Sequence, residues 1–500
     1  MADDDDKKTP DSQPQTTTTT QELSILDAVV AETKRKPSDE DYSVVQRGVQ
    51  VLLTELLKPK RAGERIDRAL VDNMIAELDK KLSAQLDEVL HNASFQKIES
   101  TWRGIKFLVD RTNFRENIKV EVLNCSKEDL ANDFDETFEI PKSGLYKKIY
   151  SSDYGQFGGT PVGAIIADYD LGPGPQDIKL MQNCAAVATM SHAPFVAAAA
   201  PAFFGGEDFT GLPDKKDLAA YFTAPEFTKW HSFRSSEDAR NVALALPRFL
   251  GRLPYGKDRI PVKSFDYEEQ VVGSHEKYLW VKSSFAFATR LSESFAKWRW
   301  CANITGPQNG GAVEDLPLHL FEELGDTTTK IPTEIMITDR RDFELSEEGF
   351  ISLCYRKGSD NACFFAASSA LKPKYFGQTP EAKENETNYK LGTQLPYTFM
   401  VSRIAHYLKV LQRENLGKWT TKEQMQTELS NWIRNYVNDT DTPMASTVGG
   451  RPFRRAKVTV EDVPGDPGWY KVGLKLMPHI RYQGAHFELS LVGKLESGKN

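Results

Sequence analysis

An α/β or α+β core with a mixed sheet, followed by a smaller domain of helices and antiparallel strands, is the fold class this sequence predicts. Three patterns predict it. Between Phe95 and about Tyr375, apolar runs short enough for strands alternate with helical periods. The run Val162–Ala167 is continuously apolar, as a strand buried on both faces must be. Beyond residue 378, two helical stripes are followed by three segments of strict two-residue alternation.

Residues 1–40 read as a polar, low-complexity tail, with an acidic run at Asp3–Asp6 and five threonines at Thr16–Thr20. Inside it, residues 21–33 carry a hydrophobic stripe. Wound as a helix, Leu23, Ile25, Leu26, Val29 and Val30 fall within an arc of about 160°, and Glu22, Asp27 and Glu32 point elsewhere. Thr19 and Glu22 have capping-box spacing. A helix this short is marginal alone in water, so the stripe either folds back on its own domain or is a handle for a partner's groove.

From Tyr42 to Leu90 the period is helical, with one stripe through Val44, Val45, Val49, Leu52, Leu53, Leu56 and Leu57 and another from Ile66 to Leu90. Trp102–Phe114 reads as a helix and Ile118–Leu123 as a strand. Val162–Ala167 is a strand ended by Asp168-Tyr169-Asp170, followed by a helix over Asp177–Met190 and a strand over Phe195–Ala200. Thr333–Ile337, Phe350–Tyr355 and Ala362–Ala366 are strand-like. The polar segment Gln378–Asn388 marks a boundary between regions 41–377 and 378–500. Past it lie helices over Thr398–Glu414, with Arg403, Lys409, Arg413 and Glu414 on the outer side, and over Lys422–Val437. In the strands that follow, Val458 and Val460, then Val472, Leu474 and Leu476, then Phe487, Leu489 and Leu491 form the apolar faces. Such strands leave edges that must be covered or paired.

The 500 residues suffice for two or three domains. A net charge of −8 argues against a nucleic-acid coat. Five scattered cysteines point to reduced thiols in a cytoplasmic protein. No secretory apolar region begins the chain, and the best membrane candidate, Cys184–Phe204, is alanine-rich and broken by Pro194 and Pro201, which suits a buried element better than a span.

The search for chemistry returns nothing that holds together. Gly417-Lys418 and Gly493-Lys494 lack the rest of a phosphate-binding loop. Gly172-Pro173-Gly174-Pro175 lacks the amides that would hold a phosphate. His275-Glu276 has Leu279 where a metalloprotease helix needs its second histidine, and His486-Phe487-Glu488 has no Cys-x-x-Cys partner. No Gly-x-Ser-x-Gly elbow occurs. Asp339-Arg340-Arg341-Asp342 reads as ion pairs at a turn. The chain therefore reads as an assembly protein with no catalytic, cofactor-binding or metal-binding set. An enzyme whose site is dispersed along the sequence is the alternative.

Three blocks carry a resemblance: Leu246-Pro247-Arg248-Phe249-Leu250-Gly251-Arg252-Leu253-Pro254-Tyr255-Gly256; Ile331-Pro332-Thr333-Glu334-Ile335-Met336-Ile337-Thr338-Asp339-Arg340-Arg341; and Leu395-Pro396-Tyr397 with Arg403-Ile404-Ala405-His406-Tyr407-Leu408-Lys409. With the terminal strands and the tail helix, the chain resembles the large sheath subunit of the type VI secretion system (the TssC, VipB or EvpB family) from about Leu23 to Leu495. Sheaths of other contractile machines, such as phage tails, are the neighbouring alternative. The resemblance implies a structural, non-catalytic subunit that co-polymerises with a small sheath subunit around an inner tube of hexameric rings, on a baseplate, and contracts. It implies no cofactor, no nucleic acid and no membrane insertion. It also implies a C-terminal sheet completed by strands of neighbouring subunits, which puts Val458, Val460, Val472, Leu474 and Leu476 on inter-subunit strands. The helix bearing Arg403, Lys409, Arg413 and Glu414 would face the tube. Leu23, Ile25, Leu26, Val29 and Val30 would bind the N-terminal domain of a hexameric AAA+ unfoldase.

Overall fold

The computed structural model describes residues 42–56, 68–323, 325–377, 379–415, 421–440, 445–463, 469–479 and 489–496. The stripe at 21–33 and the His486-Phe487-Glu488 triplet lie outside the described residues. The chain divides into two compact units, residues 1–81 and 82–500. The first holds α1 (Tyr42–Leu56) and the start of α2 (Arg68–Leu90). Both are the helices the stripes predict. Val44 and Val51 on α1, and Ile75 and Leu78 on α2, nevertheless stand exposed.

The second unit begins with α3 (Ala93–Asp110). Asn92 starts it by accepting hydrogen bonds from the Ser94 and Phe95 amides, nine residues before the helix expected from Trp102. Ile118–Leu123 enters no sheet, although its alternation suits a strand. A capping box at Ser126 and Asp129 opens α4 (Lys127–Glu136). Thereafter come β1 (Ile165–Leu171), α5 (Pro175–Ser191), β2 (Phe195–Ala199), α6 (Thr228–Arg234), β3 (Val242–Leu246), β4 (Phe249–Leu250) and β5 (Trp280–Val281). They are followed by α7 (Ser283–Trp298), β6 (Ala312–Val313), β7 (His319–Glu323), β8 (Asp326–Lys330), α8 (Asp339–Glu347), β9 (Phe350–Tyr355) and β10 (Ala362–Phe364).

Six strands form one mixed sheet in the order β1-β2-β3-β9-β10-β6. The first four run parallel, and β10 and β6 are antiparallel. β2 and β3 are buried at every position, the expected state of strands covered on both faces. On one face α5 packs with an aromatic cluster in which Phe350 lies 5.2–5.8 Å from the rings of Phe203, Phe204, Phe222 and Trp230. On the other face lies α7, crossed by α3 at Gly104, where a Cβ atom would come within 2.5 Å of the Phe285 ring. Only a glycine permits that approach without repacking.

Two local expectations need correction. β1 does not stop at Ala167 but continues through Asp168-Tyr169-Asp170. The buried Lys282 ammonium, 2.8 Å from Asp168 and 3.5 Å from Asp170, makes the two acids tolerable in the strand. Thr333–Ile337 is not a strand; Thr333 makes one isolated bridge to Phe249. The polar boundary segment holds the helix α9 (Pro380–Leu391).

After α9 come α10 (Leu395–Glu414), α11 (Lys422–Arg434), α12 (Ala445–Gly450) and a second sheet of β11 (Phe453–Asp462), β12 (Trp469–Pro478) and β13 (Leu489–Glu496). This sheet is antiparallel in the order β11-β12-β13 and has its own core.

Candidate assembly surfaces

Alternation in β11 and β12 sorts the C-terminal sheet into two faces. Val458 opposes Leu474, Val460 opposes Val472, and Ala456 opposes Leu476. Val458, Val460, Val472, Leu474 and Leu476 are all buried, together with Ile404 of α10 and Met425, Leu429 and Ile433 of α11. Thr421 caps α11 by accepting from the Gln424 amide, which sets that helix across the sheet. The apolar face is thus closed by helices of the same chain. What the sheet leaves available is its edges. β12 has a neighbour on each side. β11 is partly screened, with the Gln426 side chain 3.5 Å from the Val458 carbonyl oxygen. The outer edge of β13 takes no strand among the described residues.

Helix α10 is less of a free charged row than its sequence suggests. Arg403 lies over the rings of Phe295 and Tyr407 and donates to the Tyr407 hydroxyl. Lys409 sits 4.0 Å from the Tyr150 ring centroid, and burial together with the Arg413 charge lowers its pKa to about 8. Arg413 covers Tyr154 and donates to the Gln156 carbonyl. Only Glu414 of the four is fully exposed. The same helix is pinned from within. The Tyr154 hydroxyl donates to the His406 carbonyl at 2.8 Å, and His406 Nε2 lies 3.0 Å from the Ser191 carbonyl at the end of α5. Burial lowers the His406 pKa to about 4, so its ring is neutral near pH 7.

The Leu246–Gly256 block has a function in the fold that its sequence does not announce. Arg248 makes a two-pronged pair with Glu334, both bonds 2.7 Å, and Glu334 is wholly buried. His275 and the Phe209 amide also bond to Glu334. Burial raises the Glu334 pKa, but the Arg248 and His275 hydrogen bonds outweigh it and bring the value down to about 2. Four residues on, Arg252 joins Glu99 of α3 at 2.8 Å to Glu269 at 2.6 Å. Glu269 further accepts from the Tyr255 amide and contacts His91. Between the arginines, a Cβ on Gly251 would lie 2.6 Å from Val281. Two of the three recognisable blocks therefore meet in one ionic junction. Sequence reading missed it because its bonded partners are up to 178 residues apart, on the order of a domain length.

The chemistry flagged at the sequence level is accounted for structurally. His275 is engaged by Glu334 and Trp280. Arg340 and Arg341 do form ion pairs at the α8 start, but with Glu344, each at 2.8 Å. Asp342 bonds instead to the buried Ser352. Cys354 and Cys363 face each other across β9 and β10 as free thiols, each pushed up to about 12 by burial. Among the described residues no group of three or more His, Cys, Asp or Glu side chains could hold a metal ion. None of the described helices is long and apolar enough to cross a membrane.

Residues 72–371 match the VipB family, described as the EvpB tail sheath N-terminal domain. Residues 384–495 match its companion, the EvpB tail sheath gpW/gp25-like domain. The chain is similar to the type VI secretion system sheath protein TssC1 of Pseudomonas aeruginosa, with 37% identity over 487 residues, covering 96% of this chain and 97% of that protein. A two-core α+β chain matched along nearly its whole length in this way belongs to the VipB/EvpB family of type VI secretion sheath proteins, as a structural large subunit.

Proposed function

We propose that the chain co-polymerises with a small sheath subunit into a helical tube around an inner tube of hexameric rings, assembled on a baseplate in the bacterial cytoplasm, and that contraction of this lattice drives the inner tube outward. The observation that carries the reading is the C-terminal sheet. Its apolar face is filled by its own helices, while among the described residues no strand pairs with the outer edge of β13. An edge strand is completed by another chain's strand through ladder hydrogen bonds, and a flexible link then lets joined protomers rotate. In this reading the sheet bearing Val458, Val460, Val472, Leu474 and Leu476 serves assembly through its outer edge at β13, not through the buried face those residues form. Helix α10 meets the inner tube through Glu414 and the exposed flanks of Arg403, Lys409 and Arg413. Such ion pairs contribute ~0–1 kcal/mol each, weak enough for a contact that must break on firing.

Co-expression with the small subunit tests this. Tubules are expected by negative-stain microscopy, and amides of residues 489–496 should gain hydrogen-exchange protection on assembly. A soluble monomer in the presence of the partner, or unchanged exchange in β13, overturns the reading. The stripe of Leu23, Ile25, Leu26, Val29 and Val30 is proposed as the handle by which a AAA+ unfoldase dismantles spent sheaths. Leu26→Asp with Val30→Asp should abolish unfoldase binding while tubules still form. Lost assembly would assign the stripe to the fold instead.

A further inference from the structure

The outer face of the C-terminal sheet carries a charge pattern that works against its own stability. Lys457 of β11 lies directly opposite Lys475 of β12, and Lys471 is opposite position 494, also a lysine. Directly opposed positions bring Cβ atoms within about 4.5–5.5 Å, and like charges there are destabilising. Lys457, Lys471 and Lys475 are all exposed, and none has an ion-pair partner among the described residues. Arg455 on the same face reaches Asp439 at 3.6 Å. The carboxylates placed on this face by register are Glu461, opposite Lys471, and Glu496 at the end of β13, opposite Trp469. In a chain of net charge −8, this concentration of cations is not a consequence of composition.

The complementary surface is on the same chain but elsewhere. Helix α4 and its flank expose Glu128, Asp129, Asp135, Glu136 and Glu139. Its nearby lysines are committed: Lys127 to Asp177, Lys179 to Asp135, and Lys142 to Glu139. Glu128 and Glu136 have no ion-pair partner among the described residues, and their spacing of eight puts them on one side of the helix. No ion pair joins the lysines to α4 within the described protomer.

We propose that the Arg455–Lys457–Lys471–Lys475 face docks on α4 of a second copy of this chain. Because the two patches differ, the contact is head-to-tail and not a two-fold dimer, and in the proposed helical sheath it repeats along the array. The proposal rests on the sheath reading. It explains why an unfavourable lysine pair is kept: the repulsion within one protomer is relieved when the acidic helix of the next arrives. Exposed contacts of this kind weaken with salt, since charges are screened beyond about 10 Å at 0.1 M.

The test uses the full chain with its small subunit. Lys457→Glu turns the opposed lysines into an attractive pair, so its Tm should equal or exceed that of the wild type. Its critical concentration for tubule formation at low salt should nevertheless rise about tenfold, because like charges then meet across the interface. Adding Glu128→Lys and Glu136→Lys to the same chain should restore assembly. Normal assembly of Lys457→Glu overturns the proposal. A defect that the α4 changes do not rescue also overturns it, and assigns the face to some other acidic partner. If the wild type forms no tubules, the sheath reading itself fails. The docking is then read from salt-dependent self-association in sedimentation velocity, where Lys457→Glu must abolish it and the α4 changes restore it.

Discussion

Replacing Arg248 with methionine is expected to lower the unfolding free energy by about 3–5 kcal/mol near pH 7, because it strands the fully buried Glu334 carboxylate without its two-pronged partner. His275 and the Phe209 amide remain, but neither supplies a fixed charge. The pH dependence has a definite sign. The folded-state pKa of Glu334 is depressed from 4.5 to about 2. Its contribution to stability is therefore complete above the unfolded value and is lost as pH falls from about 4.5 through about 2. The variant has no such contribution to lose, so the two stability curves should converge on acidification. Adding Glu334→Gln to Arg248→Met should recover part of the deficit at neutral pH by removing the stranded charge. Urea midpoints for the three proteins at neutral and acidic pH decide this. A deficit that does not shrink on acidification would mean that packing, not charge, sets the cost.

A second large effect is expected at Leu474. The side chain is 1% exposed, in the layer between β12 and the helices α10 and α11. Removing a buried leucine costs about 2–5 kcal/mol, and an unpaired carboxylate in its place adds several more. Leu474→Asp should therefore unfold the C-terminal domain in the isolated chain, before any partner is present. Limited proteolysis would show cleavage beyond α10, across α11 and the C-terminal strands, with the six-stranded domain intact. The near-ultraviolet signal of Trp300, which packs at 5.3 Å on Tyr436 and 5.8 Å on Phe453, would fall. If the isolated variant were folded and failed only in assembly, the face would belong to an interface and not to the core.

Periodicity was a good guide wherever the environment was simple. α5, β2, β9 and the alternating faces of β11 and β12 stand where the apolar spacing puts them. It misled where a distant residue changed the local cost. The two aspartates of β1 look like a strand terminator until Lys282, over 100 residues away, is brought beside them. Ile118–Leu123 shows the opposite failure, since alternation supplies a strand's faces but not its neighbour. Charge networks between distant segments, such as Glu99–Arg252–Glu269, leave no periodic signal at all. Glycine at 251 between two arginines was the nearest hint, because it marks a tight approach. The long polar helix α9 was hidden by the same logic, as polar composition resembles a linker.

Helix α10 belongs to both cores at once. Leu395 and Phe399 sit in the core behind the six-stranded sheet, while Tyr397, Met400 and Ile404 sit in the core of the C-terminal sheet. Farther along, Tyr154 and Ser191 hold its third turn and beyond. Twenty helical residues make a rod of about 30 Å. Hinging the six-stranded sheet against the C-terminal sheet would have to unpack two interiors together, so these two parts of the second unit behave mechanically as one stiff block. In the proposed contractile lattice, compliance then resides in the joints, and elastic work is stored between subunits, not within them.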